Sequence, residues 1–286
     1  FVKDICGCGF FVNQISKMTE IAMSMIEKAG FRPVIAEHGE LYEISGADSQ
    51  IITFRMQPGL EIQTNPGLML MMSPGISAGC KCEGCFARCM GGEPCYSVTY
   101  TQPESESEDG YLGLTPNFPA KMIPIDLTAN GGKVRCKDGA YVAGLGGVKP
   151  GYNCDCCSMT CCFGGQGCVQ QSVEGEGITI LSAGGSIVTK DLAEGEELIL
   201  DTNALLAWHE AVDLTVRMNS CCSCCCGGEG MFSTVVTGPG KVWLQSMSIA
   251  KSKSVMEQYV LAKYSAARMT PISFGGAPAV ADEMDR

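Results

Sequence analysis

A short glycine-rich element occurs three times in this chain, as MGGEPCYSVTY at 90–100, FGGQGCVQQSV at 163–173 and CGGEGMFSTVV at 226–236. Its Gly-Gly pairs begin at Gly91, Gly164 and Gly227, 73 and 63 residues apart. A second pattern keeps nearly the same spacing. Segments 54–76, 125–148 and 190–212 each place a polar turn between two strand-like runs, with turns aligned at Gly67, Gly139 and Asn203, 72 and 64 residues apart. Glycine and asparagine tolerate the positive φ that tight hairpins require. Two features in one register point to three related β units within a single chain.

The two patterns run out of phase. The first hairpin, 54–76, has no Gly-Gly element before it, and the last Gly-Gly element, with its strands to 246, has no hairpin after it. The C-terminal half-unit is therefore expected to complete the N-terminal one. The predicted fold is all-β, a closed pseudo-threefold β-prism or sandwich over 40–249 whose closure removes exposed sheet edges. The 36 glycines and 13 prolines suit the many turns of such a fold. ELYEIS and QIITFRM alternate as strands.

Peripheral helices flank this body. Phe11, Ile15, Met18, Ala22, Met25 and Ala29 recur at helical spacing before Gly30, and SVMEQYVLAKYSAARM predicts a helix over 254–269. The organisation is thus 1–39, a cysteine- and glycine-containing lead-in with a helix; 40–249, the β domain; and 250–286, a helix with a loose tail.

With 45% hydrophobic and 18% charged residues the chain is expected to bury a core. A net charge of −11 without a basic cluster speaks against a nucleic-acid partner. No apolar run is long enough for a transmembrane helix; peripheral membrane association stays open.

Sixteen of the 19 cysteines gather at equivalent points of the repeat. Cys80, Cys82, Cys85 and Cys89 precede the first Gly-Gly pair. Cys154, Cys156, Cys157, Cys161 and Cys162 precede the second. Cys221, Cys222, Cys224, Cys225 and Cys226 precede the third, while Cys95 and Cys168 follow their pairs at one spacing. Each loop has enough thiols for one tetrahedral Zn²⁺ or an iron–sulfur cluster. The loops share no strict motif, and two other readings stand beside this one: small apolar residues filling tight loops, and surface thiols that are lipidated or redox-active. An odd count with many adjacent pairs favours a reduced intracellular or organellar setting.

Elsewhere the residues read as structural. His38 and His209 are the only histidines, and His209 in LLAWHEAV reads as a satisfied structural residue. Glu93, Gln166 and Glu229 recur with the Gly-Gly element as loop-capping groups. Met69, Met71, Met72 and Met122 read as core filling. PESESEDG, 103–110, reads as a solvated hairpin tip. No catalytic motif of the metalloprotease, nucleophile-elbow or P-loop type occurs.

VTGPGKVWLQSMS, the GGE/GGQ elements and LDTNALLAWHEAVDL together resemble the altered-inheritance-of-mitochondria type 24 family over about residues 40–248. The resemblance implies a β fold like that of the tryptophan RNA-binding attenuation protein, and in mitochondria a role at the inner membrane in support of cristae-organising complexes. It brings no catalytic residues, and the cysteine loops depart from the usual basic or apolar character of these positions. The expected function is a non-enzymatic scaffold or assembly factor, docking to protein partners in an organellar complex or to further copies of itself, in the mitochondrion or, as second choice, the plastid. The alternative is a metal- or redox-binding protein using the three cysteine loops.

Overall fold

The structure, a computed structural model, describes residues 30–33, 39–82, 88–89, 94–154, 169–219 and 231–269. The helix expected over 11–29 and the tail from 270 lie outside them. The chain divides into two compact units, 1–249 and 250–286.

The first unit is built from strands. After β1 (Phe31–Pro33) and β2 (Tyr42–Ser45) come three successive groups of six. The first is β3 (Ile51–Met56), β4 (Glu61–Thr64), β5 (Met69–Met72), β6 (Ser77–Lys81), β7 (Ser97–Thr101) and β8 (Gly110–Leu114). The second is β9 (Lys121–Asp126), β10 (Lys133–Cys136), β11 (Tyr141–Leu145), β12 (Lys149–Cys154), β13 (Val169–Glu174) and β14 (Ile178–Ala183). The third is β15 (Ile187–Leu192), β16 (Glu197–Leu200), β17 (Leu205–His209), β18 (Asp213–Met218), β19 (Phe232–Thr237) and β20 (Gly240–Gln245).

One order of pairing holds in every group. The first and third strands pair with the sixth, and the second and fourth pair with the fifth, all antiparallel. The third strand carries an irregularity at the same place each time: between Met69 and Met71, between Tyr141 and Ala143, and between Leu205 and Ala207. Such bulges insert one residue and bend the strand. Two short ladders join the groups, β4 with β11 and β10 with β17.

The result is four antiparallel sheets: β1-β15-β20-β17-β10-β13-β12, β6-β7-β4-β11-β14-β9, β2-β3-β8-β5 and β16-β19-β18. None of them closes on itself among the described residues. The last hairpin does not complete 54–76 either. β19 pairs with β16 and β18, and β20 with β15 and β17. The cause lies in the cysteine-rich segments, which connect β6 to β7, β12 to β13 and β18 to β19. The strand after each Gly-Gly pair folds back on the strand before its own loop, so the last hairpin is used within its own group.

Strand alternation places the core. In β3, Ile52, Phe54 and Met56 are buried between half-exposed or exposed neighbours, as the two-residue period of a strand requires. They pack with Ile62, Leu112, Leu114, Val142 and Ile180. A second cluster gathers Ile123, Val134, Tyr141, Leu181, Leu206 and Trp243 across the second and third groups. A third lies within the last group, around Leu205, Trp208, Val236 and Val242. Met122 is buried as expected, but Met69 and Met71 are 45% and 42% exposed. The reason is topological: β5 pairs only with β8 and ends its sheet, whereas its counterparts β11 and β17 are covered on both sides.

In the second unit, helix α1 spans Ile249–Met269, five residues longer at its start than expected. Ala250, Lys251 and Lys253 favour helix, and Ser254 is an interior residue rather than a cap. Val255, Met256, Tyr259, Val260 and Leu261 are all exposed.

Candidate functional site

Of the cysteines expected to bind metal, Cys85, Cys156, Cys157, Cys161, Cys162, Cys221, Cys222, Cys224, Cys225 and Cys226 lie outside the described residues, as do Cys168, His38, Glu93, Gln166 and Glu229. Cys154 ends β12, and its side chain is not among those described. Cys80 and Cys82 are exposed at the end of β6. Cys89 is joined to Cys95 in a disulfide, with Cα atoms 5.6 Å apart. In this structure Cys89 is bridged rather than presented as a thiol. Its partner follows the Gly-Gly pair, across a six-residue separation that lets the Cα atoms reach bridging distance. Among the described residues no three His, Cys, Asp or Glu side chains are grouped to hold an ion.

His209 has a structural task. Its Nδ1 accepts from the Ala211 amide at 3.1 Å and its carbonyl from the Val212 amide at 3.0 Å, which fixes the β17–β18 turn. In the acidic loop, Asp109 pairs with exposed Arg55 at 2.6 Å. Exposed pairs of this kind contribute about 0–1 kcal/mol.

The feature that sequence reasoning missed is Arg88. It is 2% exposed. Its Nε donates to the Pro94 carbonyl at 2.7 Å, and one terminal nitrogen donates to Asn65 Oδ1 at 2.9 Å and the Tyr96 carbonyl at 3.4 Å. Its guanidinium carbon lies 5.5 Å from the centre of the Tyr152 ring. Buried charges are normally paired, and among the described residues no carboxylate meets this one. Carbonyl, amide and aromatic partners serve it instead, which suits the planar fork of arginine.

The network continues into the strands. Asn65 Nδ2 donates to the Tyr141 carbonyl at 3.1 Å, and the Tyr141 hydroxyl donates to the Gln63 carbonyl at 2.8 Å. Gln63 Nε2 donates to Ser97 Oγ at 2.8 Å. Gln171 Nε2 donates to the Tyr152 hydroxyl at 3.1 Å. The two Tyr141 bonds cross the β4–β11 junction, so a buried polar chain ties the first strand group to the second. Burial holds the Tyr141 hydroxyl neutral, far above its ordinary value. A lone arginine inside a cysteine-rich loop has no periodicity or spacing that would have marked it.

This network borders a cleft of about 350 Å³, walled by the β4–β5 turn at Asn65, Pro66 and Leu68, the β8–β9 connection at Pro116, Asn117 and Phe118, and Ser182. Tyr141 is the one ionisable side chain among the described residues lining it. The wall offers amide, hydroxyl and apolar surface, which suits binding of a small, mostly apolar group.

Replacing Arg88 by Met is expected to orphan buried acceptors at about 1–3 kcal/mol each and so lower the urea midpoint clearly; Arg88→Lys, lacking the fork, recovers only part. An unchanged midpoint would make the guanidinium a bystander. Tyr141 also predicts a pH dependence. Its folded value is raised above the ordinary 10.0, so its contribution is intact below pH 10.0 and is lost as pH rises above it, where the unfolded chain releases the proton first. Urea titrations from pH 9 upward are expected to show a steeper alkaline loss for the wild type than for Tyr141→Phe; parallel curves would refute this.

No curated protein matches this chain. Among solved structures, the crystal structure of protein SPYM3_0169 from Streptococcus pyogenes is similar, with a TM-score of 0.60 and 20% identity over 76% of this chain and 98% of that one. At that identity the likeness speaks for the fold alone. The model of the mitochondrial biogenesis AIM24 family matches residues 42–247, nearly all of the strand body. The chain belongs to the mitochondrial biogenesis AIM24 family.

Proposed function

We propose that this protein is a non-enzymatic assembly factor of mitochondria, whose strand body is three copies of one six-strand unit about a pseudo-threefold axis and whose helix α1 docks to a larger membrane-associated complex. The shared pairing order and the bulge at the same place in β5, β11 and β17 support the three-unit reading. Family membership supports the mitochondrial role.

The observation that carries docking is α1 itself. Five large apolar side chains, from Val255 to Leu261, stand 48–67% exposed beside Lys251 and Lys253. Single exposed apolar residues are ordinary on a protein surface, but a contiguous set marks an interaction site. Basic residues beside it suit an acidic partner surface or an anionic membrane.

A second reading rests on the first cysteine loop. The Cys89–Cys95 disulfide beside exposed Cys80 and Cys82 places thiol and disulfide chemistry within one short segment. Burial, and to a smaller extent Cys80, raises the hydroxyl of Tyr100 on β7, the strand that pairs with β6. Zn²⁺ or an iron–sulfur cluster remains the cofactor that the second and third loops would hold.

Two measurements test these readings. In mitochondria, the tagged chain is expected to migrate with a high-mass complex on native gels, and Met256→Glu with Val260→Glu to shift it to lower mass while the fold persists; migration unaffected by the double change removes α1 as the docking element. For the loops, anaerobically purified protein is to be assayed for Zn and Fe by elemental analysis. Stoichiometric metal supports the second reading, and protein free of both removes the metal-binding form of it.

A further inference from the structure

Two links join the same two short segments. One is the disulfide between Cys89 and Cys95. The other is Arg88, which precedes Cys89 in sequence and donates to the carbonyls of Pro94 and Tyr96, the residues on either side of Cys95. The covalent link lies at the surface and the polar one beneath it. Cys89, Pro94, Cys95 and Tyr96 are exposed, while Arg88 is buried.

Each link depends on the other. A buried guanidinium loses its hydration and must replace it with hydrogen bonds from the protein. Two of the acceptors here are main-chain carbonyls of 94–96, so burial of Arg88 requires that segment to be held against 88–89. The bridge holds it there. Conversely, the Arg88 bonds keep Cys89 and Cys95 close, which favours the bridged form over two thiols. Coupling of this kind is reciprocal.

What hangs on Arg88 lies further in. Its third acceptor, Asn65 Oδ1, belongs to a side chain whose nitrogen reaches the Tyr141 carbonyl across the β4–β11 junction. Asn65 and Pro94 also wall the cleft of about 350 Å³. One exposed covalent bond therefore stands over both a cleft wall and the junction of two strand groups. Exposed bridges are the ones that exchange readily with thiols.

We propose that the Cys89–Cys95 bridge is a reversible thiol–disulfide switch that sets whether Arg88 is buried and, through Asn65 and Pro94, sets the cleft wall and the hold of β4 on β11. The reductant is a dithiol. One of its thiolates attacks a bridge sulfur to form a mixed disulfide, releasing the other cysteine as a thiolate; its second thiolate then displaces the first. Two electrons and two protons pass to Cys89 and Cys95, and the reductant leaves as its own disulfide. With the bridge open, 94–96 is no longer tied to 88–89, and Arg88 exchanges its carbonyl partners for water. The inference rests on the reading of the first loop as a place of thiol and disulfide chemistry. It is independent of docking through α1 and of metal in the other loops.

The test is a titration of the full chain with reduced against oxidised dithiothreitol. Alkylation and mass spectrometry count the bridge at Cys89 and Cys95, and amide hydrogen exchange follows the network. Opening the bridge is expected to speed exchange about fivefold or more over 95–98, 63–65 and 141–144, with recovery on reoxidation. Cys89→Ser with Cys95→Ser is expected to exchange at the fast rate with or without dithiothreitol, which separates this bridge from the other cysteines. Arg88→Met is expected to shift the titration about fivefold or more toward the dithiol form, and Arg88→Lys, which keeps the charge without the fork, to shift it the same way by less. A bridge that excess dithiothreitol never opens in the folded chain, or thiols that never bridge, removes the first-loop reading and the switch together. A bridge that opens and closes while exchange at 63–65 and 141–144 stays constant, or a titration unmoved by both Arg88 variants, overturns the switch alone and leaves the thiol chemistry standing.

Discussion

The strand body depends on two ladders that are only two or three residues long. β4 meets β11 through two residue pairs, and β10 meets β17 through three. Each backbone hydrogen bond contributes about 0.5–1.5 kcal/mol net, so the ladders alone hold the groups weakly. Side chains must do the rest, and each junction does it differently. At the first, the Arg88–Asn65–Tyr141 chain binds both groups through buried polar contacts. At the second, the core does it: Trp243, Leu206 and Ala207 pack with Val134 and Ile123. Lys133 adds an outer clasp, reaching Glu174 and Glu210 at 3.0 Å each. Those two contacts raise its ammonium above the ordinary lysine value.

Much of the local structure was legible in the residues. The aligned turns at Gly67, Gly139 and Asn203 all fall between the second and third strands of their groups. Gly67 and Gly139 adopt φ of 82° and 77°, as the turn requires. Asn203 reaches the same connection by other means. It sits in a short 3₁₀ turn, Thr202–Ala204, whose start is capped by the Asp201 side chain accepting from the Asn203 amide. Position was readable where geometry was not, because glycine and Asx chemistry solve one turn in two ways.

Pairing was less legible. Alternation fixes which face of a strand is buried, but not which strand lies beside it. The spacing of the Gly-Gly elements suggested a repeat, and their phase suggested a half-unit at each end. β7, β13 and β19 instead fold back onto β6, β12 and β18, each returning to the strand before it in sequence. The methionines of β5 were misjudged for the same reason. A strand that looks like core is core only when a neighbour covers it. Arg88 was invisible to pattern altogether, since a buried charge is specified by the carbonyls around it and those are not written in side-chain periodicity.

The two internal junctions also differ in composition from β5 and β16, which end their own sheets. Arg88 fixes the first junction through directional bonds that tolerate no slip, and Trp208 and Trp243 fill the second with bulky rings. β5 and β16 carry Met71, Met72, Ile199 and Leu200. Aliphatic and thioether side chains gain free energy from burial, about 25 cal/mol per Å², without demanding one arrangement. Methionine in particular adapts its shape to what it meets. Edges of that composition gain from being covered without fixing one register, whereas the two paired junctions are held by directional bonds and bulky rings.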